Sequence, residues 1–127
     1  MAEIPLYQEG EDVPIPRARE DMRFTEAAAR PLPDGRRVKL NFKLTPFADR
    51  PSVDMSVTNL LGNEVASMSL IEAMDTEFEF TVHLRGPQPE GGHNIHLTLF
   101  YQESDDPDAP RQVVDERDVA FTVAPPN

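Results

Sequence analysis

RVKLNFKLT, residues 37 to 45, decides how this chain is read. Val38, Leu40, Phe42 and Leu44 alternate with Lys39, Asn41 and Lys43. In an extended backbone successive side chains point to opposite faces, so this stretch has one apolar face and one polar face. It predicts a strand over Arg37 to Thr45, dry on one side and wet on the other.

The same period of two recurs outward from it. Thr76 to Leu84 sets Phe78, Phe80, Val82 and Leu84 against Glu77, Glu79, Thr81 and His83; Ser52 to Thr58 offers Val53, Met55 and Val57; Gly92 to Gln102 offers Ile95, Leu97, Leu99 and Tyr101. Asp118 to Val123 adds Val119, Phe121 and Val123, and weaker strands are expected at Arg19 to Thr25 and Glu64 to Leu70. Turn chemistry separates the runs, with PDG at 33 to 35, LGN at 61 to 63 and PEGG at 89 to 92, and 13 prolines leave no room for long helices. Half-wet strands pair antiparallel, because parallel sheets are dry on both faces. Leu70, Ile71 and Met74 in SLIEAM, residues 69 to 74, have helical spacing and predict one helical turn.

Composition bounds the function. One domain fits 127 residues. Against 12 Lys and Arg stand 23 Asp and Glu, a net charge of -11 that repels phosphate backbones, so no nucleic-acid partner is expected. The absence of cysteine removes disulfides, thiolate catalysis and cysteine-ligated zinc. With no basic leader followed by an apolar stretch, and no apolar run near ~20 residues, no membrane insertion is expected and a cytoplasmic location is the default. Residues 1 to 16, MAEIPLYQEGEDVPIP, interleave Pro5, Pro14 and Pro16 with Ile4, Leu6, Tyr7, Val13 and Ile15. They read as an extended arm, followed by a sandwich domain over 17 to 127, and such an arm lies along its own sheet or adds to a neighbour's edge.

Chemical motifs are sparse. His83, His93 and His96 fall within fifteen residues, but alternation puts His93 with Ile95 and Leu97 and His96 on the opposite face with Asn94, Thr98 and Phe100. Three imidazoles so divided cannot meet one ion, so neither a metal nor any other cofactor is expected. The acidic loop ESDDPDAPR, 103 to 111, lacks the glycine and the spacing of a calcium loop. No GxSxG, GxGxxG, P-loop or HExxH is present, and no catalytic residue is assigned. Phe100, on a nominally wet face, is expected to be an exposed ring unless something covers it.

The stretch from Val38 to Gln102, with VKLNFKL, SVDMSVTN running into LGNEV, FEFTVHL and GGHNIHLTL, resembles immunoglobulin-like sandwich domains. Its layout is similar to that of the carbohydrate-recognising carboxy-terminal domains of O-antigen polysaccharide exporters. His93 stands where the pattern usually has Tyr. The resemblance implies an all-β, immunoglobulin-like antiparallel β-sandwich of about seven strands with an extended arm, and it carries over no binding residue.

The expected function is a non-catalytic module that binds a protein, or a second copy of itself, with Tyr7, Phe100, Met68, Ile71 and Met74 as contact residues. A sheet edge, the arm, or the region of Met68, Ile71 and Met74 would supply the surface. The alternative is a carbohydrate-binding module using the wet face near Phe100; a hydrolase with an unassigned site is a third.

Overall fold

Val38, Leu40, Phe42 and Leu44 are all buried in the computed structural model, which describes residues 16–86, 90–103 and 108–124. Seven strands follow one another: β1 (Phe24–Pro31), β2 (Arg37–Leu44), β3 (Ser52–Asn59), β4 (Glu64–Leu70), β5 (Glu77–His83), β6 (Gly91–Gln102) and β7 (Arg111–Val123). They make two antiparallel sheets, one in the order β1-β2-β5 and the other in the order β4-β3-β6-β7. This is the expected all-β sandwich. Against the immunoglobulin arrangement, β1, β2 and β5 stand where strands A, B and E do, and β3, β6 and β7 where C, F and G do. The fourth strand is bonded to β3 and not to β5, so four strands face three.

The inward residues of the central strands form the core: Val38, Leu40 and Phe42 from β2, Val53, Met55 and Val57 from β3, and Ile95, Leu97 and Leu99 from β6. Phe24 meets Phe42 edge-on at 5.9 Å between ring centroids. The β3–β4 turn closes through Gly62 at φ 83, while the Asn59 side-chain carbonyl accepts the N–H groups of Leu61 and Asn63.

Three expectations need correction. Arg19–Asp21 is a short 3-10 turn and β1 runs from Phe24 to Pro31. FTEAAARP carries few large apolar side chains, so its pairing with β2 rests on the backbone and leaves little periodic signal. The last strand begins at Arg111, seven residues before the expected start, because β6 is long enough to pair with it down to Gln102. As an edge strand β7 exposes much of its polar sequence. Residues 69 to 74 form no helical turn: β4 runs to Leu70, Glu72 gives its N–H to Ser52 Oγ at 3.0 Å, and Ala73 gives its N–H to Pro51 O at 2.7 Å.

Glu72 sits at φ 50, a left-handed conformation that costs an L-residue roughly 1–2 kcal/mol. Glu72→Gly is therefore expected to stabilise the domain by about 0.5 kcal/mol, after the ~0.5–1 kcal/mol entropy of glycine is set against it. A thermal melt of the two proteins checks this; a lowered midpoint would contradict it.

The two long sides of the sandwich differ. Along β1 and β7, Asp115 Oδ2 accepts the Phe24 N–H at 2.8 Å, Arg117 Nη2 donates to Phe24 O at 2.6 Å, and Arg23 Nη1 donates to Val114 O at 3.2 Å. Along β4 and β5 the corresponding links among the described residues both come from Arg85, whose N–H reaches Val65 O at 2.9 Å and whose guanidinium pairs with Glu64 at 4.0 Å.

Candidate functional site

The side along β4 and β5 contains the most distinctive surface. Leu44 gives its N–H to Thr76 O and Leu84 gives its N–H to Arg36 O, so the even-numbered residues of this segment direct their backbone groups at β2. Extended geometry then turns the N–H and C=O groups of Glu77, Glu79, Thr81 and His83 outward. No described residue pairs with them.

Beside this edge lie apolar side chains that the core only half covers. Phe78 and Phe80 point inward and stack on each other at 6.0 Å and 6° and on Phe42 at 5.2 and 6.1 Å, yet both stay partly exposed. Met68 and Leu70 of β4, opposite Met55 and Val53, also face inward and are half-buried. The cause is the mismatch of four strands against three: β4 overhangs, and no described strand of the other sheet lies across from it. The result is a slot with the β5 edge as its wall and β4 as its floor.

Of the expected contact residues, Met68 belongs to this floor. Met74, 80% exposed, and Ile71, 64% exposed, lie in the connection from β4 to β5. Ile71 lines a cleft of about 590 Å³ at the end of the sandwich, with Arg19, Asp49, Arg50, Glu72 and Tyr101. Arg19 stacks over the Tyr101 ring at 4.7 Å and pairs with Asp49 and Glu103, and the Tyr101 hydroxyl donates to Asp49 O at 3.0 Å. Tyr7 falls outside the described residues.

Phe100 is a correction. It points away from the core, since Leu99 and Tyr101 point in, but it is 0% exposed. The Arg111 guanidinium lies 4.0 Å above its ring and reaches on to Asp54 at 2.5 Å. Its covering group is thus the neighbouring strand, and the ring is no platform for a sugar.

The histidines are apart, as alternation predicts. His83 is exposed on β5 in the three-stranded sheet. His93 is buried, stacked on Phe121 at 5.0 Å, with its Nδ1–H donated to Gly91 O at 3.0 Å. His96 lies on the outer face of the other sheet, its Nδ1–H donated to Asp118 and its Nε2–H to Glu116, each at 2.8 Å. In its charged form the ring thus gives both N–H groups to carboxylates.

The Asp118 hydrogen bond, then that of Glu116, raises the His96 pKa, and the Asn94 amide, followed by His96, lowers that of Asp118. His96 therefore contributes stability fully below its unfolded pKa of about 6.5, and that contribution is lost as pH rises through the higher folded value. Asp118 contributes above its unfolded pKa of about 3.9 and loses that contribution as pH falls through its lower folded value. In an NMR titration Asp118→Asn is expected to bring the His96 pKa down; an unchanged midpoint would refute the clamp.

These features define a two-sheet β-sandwich laced along one side and open along the other. No protein-family model matches the chain, and no curated protein matches it. Among solved structures it is similar to a glycosyl hydrolase family 2 member from Bacteroides cellulosilyticus DSM 14838, at 14% identity and a TM-score of 0.57, over 80% of this chain and 15% of that one. It is also similar to Bifidobacterium dentium beta-glucuronidase complexed with coumarin-3-O-glucuronide, at 13% identity and a TM-score of 0.53, over 81% of this chain and 18% of that one. The likeness is one of fold, and the chain spans less than a fifth of either enzyme's length.

Proposed function

We propose that this domain is a non-catalytic interaction module that binds a protein partner by taking one extended stretch of its polypeptide along the free edge of β5. The observation that carries the reading is the edge itself: four residues with outward N–H and C=O groups at a two-residue repeat, flanked by half-buried Phe78, Phe80, Met68 and Leu70. Backbone groups at that repeat match another backbone, and the adjoining apolar side chains supply selectivity for alternate residues.

The slot favours a single strand over a second sandwich. Two β5 edges pairing antiparallel about a two-fold axis would bring the β4 of each copy against the second sheet of the other. Glu77 and Glu79 are loosely engaged by Lys43 and Lys39, at 3.9 and 3.6 Å, which favours a partner segment with basic residues between its apolar ones. That the matched fold makes up only a small part of larger chains supports a modular role.

Extended peptides alternating apolar and basic residues, titrated into labelled protein, test this. The expected result is shifted and slowly exchanging amides at Glu77, Glu79, Thr81 and His83. Thr81→Pro, which removes an outward donor and spares the ladder to β2, should weaken binding roughly tenfold. Shifts confined to β7 or to the end cleft would overturn the proposal.

A glycan ligand is the second reading, favoured by the names of the similar structures and by the polar cleft of Arg19, Arg50 and Tyr101. Glycan-array signal that disappears in Arg50→Ala would place it first.

A further inference from the structure

We infer that the strand accepted at the β5 edge runs antiparallel to β5 and carries its charge in one order, acidic toward its amino end and basic toward its carboxy end; this rests on the strand-addition reading above. The register of the three-stranded sheet motivates the inference. On its outer face Glu77 stands opposite Lys43, which stands opposite Glu26, and the next row has Glu79 as its one charged member, beside Asn41 and Ala28. Two residues further along β5, Thr81 stands opposite Lys39 and Lys39 opposite Arg30, two cations in a row that contains no carboxylate. His83 then stands opposite Arg37.

The face is therefore acidic beside the start of β5 and basic beside its end. Both glutamates are exposed and neither is closely paired: Lys43 lies 3.9 Å from Glu77 and from Glu26, and Lys39 lies 3.6 Å from Glu79. They are free to engage a cation on an added strand.

Backbone geometry sets the direction. In an antiparallel pair, opposite residues alternate between hydrogen-bonded pairs about 5.5 Å apart at Cα and non-hydrogen-bonded pairs about 4.5 Å apart. The outward N–H and C=O groups belong to Glu77, Glu79, Thr81 and His83, so Phe78, Phe80 and Val82 fall in the close pairs. The tightest side-chain contacts of an antiparallel strand then lie against the two half-buried rings, where apolar surface remains to be covered. A parallel strand, with its evenly spaced and slanted bonds, lacks these close pairs.

Running antiparallel, the added strand meets β5 from His83 back to Glu77. Its apolar residues face Val82, Phe80 and Phe78, while its polar residues face His83 first and Glu79 and Glu77 last. A carboxylate suits the first position, beside Arg37 and Lys39, and Lys or Arg suits the last two. The acidic end also has room for a long cation. Ala28 and Asn41 are short, and over them the sheet face dips into a hollow of about 380 Å³ bordered by Glu26, Lys43, Glu77 and Glu79. Neighbouring strands lie ~4.8 Å apart, so a lysine or arginine opposite Glu79 comes against the rim of this hollow.

Two heptapeptides of one composition test the order: Glu-Val-Thr-Val-Lys-Val-Lys and its reversal, Lys-Val-Lys-Val-Thr-Val-Glu, each acetylated and amidated so that no terminal charge intrudes. The first is expected to bind about tenfold more tightly, because it gains opposite charge at Glu77 and Glu79 where the reversal meets like charge at Glu77 and Lys39. High salt should narrow the gap. A nitroxide at the carboxy end of the first peptide should broaden the amides of Glu77 and Phe78 more than those of Val82 and His83. In the protein with Glu77→Lys and Glu79→Lys the preference should disappear. Equal affinities at β5 in the wild type, or broadening centred on His83, would overturn the order and leave the proposed function standing. If neither peptide perturbs the β5 amides, the proposed function falls and the order falls with it.

Discussion

Phe100→Ala is expected to destabilise the domain by about 3–5 kcal/mol, a large part of the roughly 5–15 kcal/mol that holds a domain folded. The ring is fully buried although it points away from the core, pinned between its sheet and the Arg111 guanidinium. Its removal leaves a void that Arg111 cannot fill while it is drawn toward Asp54. Denaturant unfolding followed by circular dichroism measures the cost. A variant with unchanged midpoint would mean that the ring is solvated and would restore it as a sugar platform.

Phe42→Ala is expected to cost a similar 3–5 kcal/mol, with a further consequence for the slot. Phe42 is buried at the centre of an aromatic group with Phe24 edge-on and Phe78 and Phe80 stacked against it. Without it the two edge rings lose their support, so peptide binding at β5 should weaken under conditions where the protein is still folded. Phe100→Ala, on the far face of the other sheet, should leave that binding unchanged. Because the two sites share no partner, their costs should add within about 0.5 kcal/mol, and the double variant should fail to fold. Wild-type peptide affinity in folded Phe42→Ala protein would separate the aromatic group from the site.

Alternation was enough to read β2, β3, β5 and β6 from their residues, and VASM between turn signals was enough for β4. It failed where backbone pairing, not side-chain burial, holds the strand, as in AAAR of β1 and RQVVDER of β7. It misled at Leu70, Ile71 and Met74, whose spacing suggested a helix while the Ser52 hydroxyl and the Pro51 carbonyl hold the chain in an open connection. The separation of the three histidines followed from parity alone. For the site, Met68, Ile71 and Met74 were legible as apolar residues near a sheet margin. Phe78 and Phe80 were not, because period two tells which face a ring is on but not whether its strand is central or outermost. Phe100 was misjudged for a related reason: Arg111 is eleven residues away in sequence, and nothing local shows that it folds across the ring.

The unequal lacing of the two long sides makes the sandwich a book with a spine. Asp115 and Arg117 stitch one cover to the other at Phe24, whereas among the described residues the fore-edge at β4 and β5 has only the Arg85 clasp, to Val65 and Glu64. When thermal motion parts the covers they should swing about the stitched side, and solvent should enter first at the fore-edge, where the rings of Phe78 and Phe80 already show.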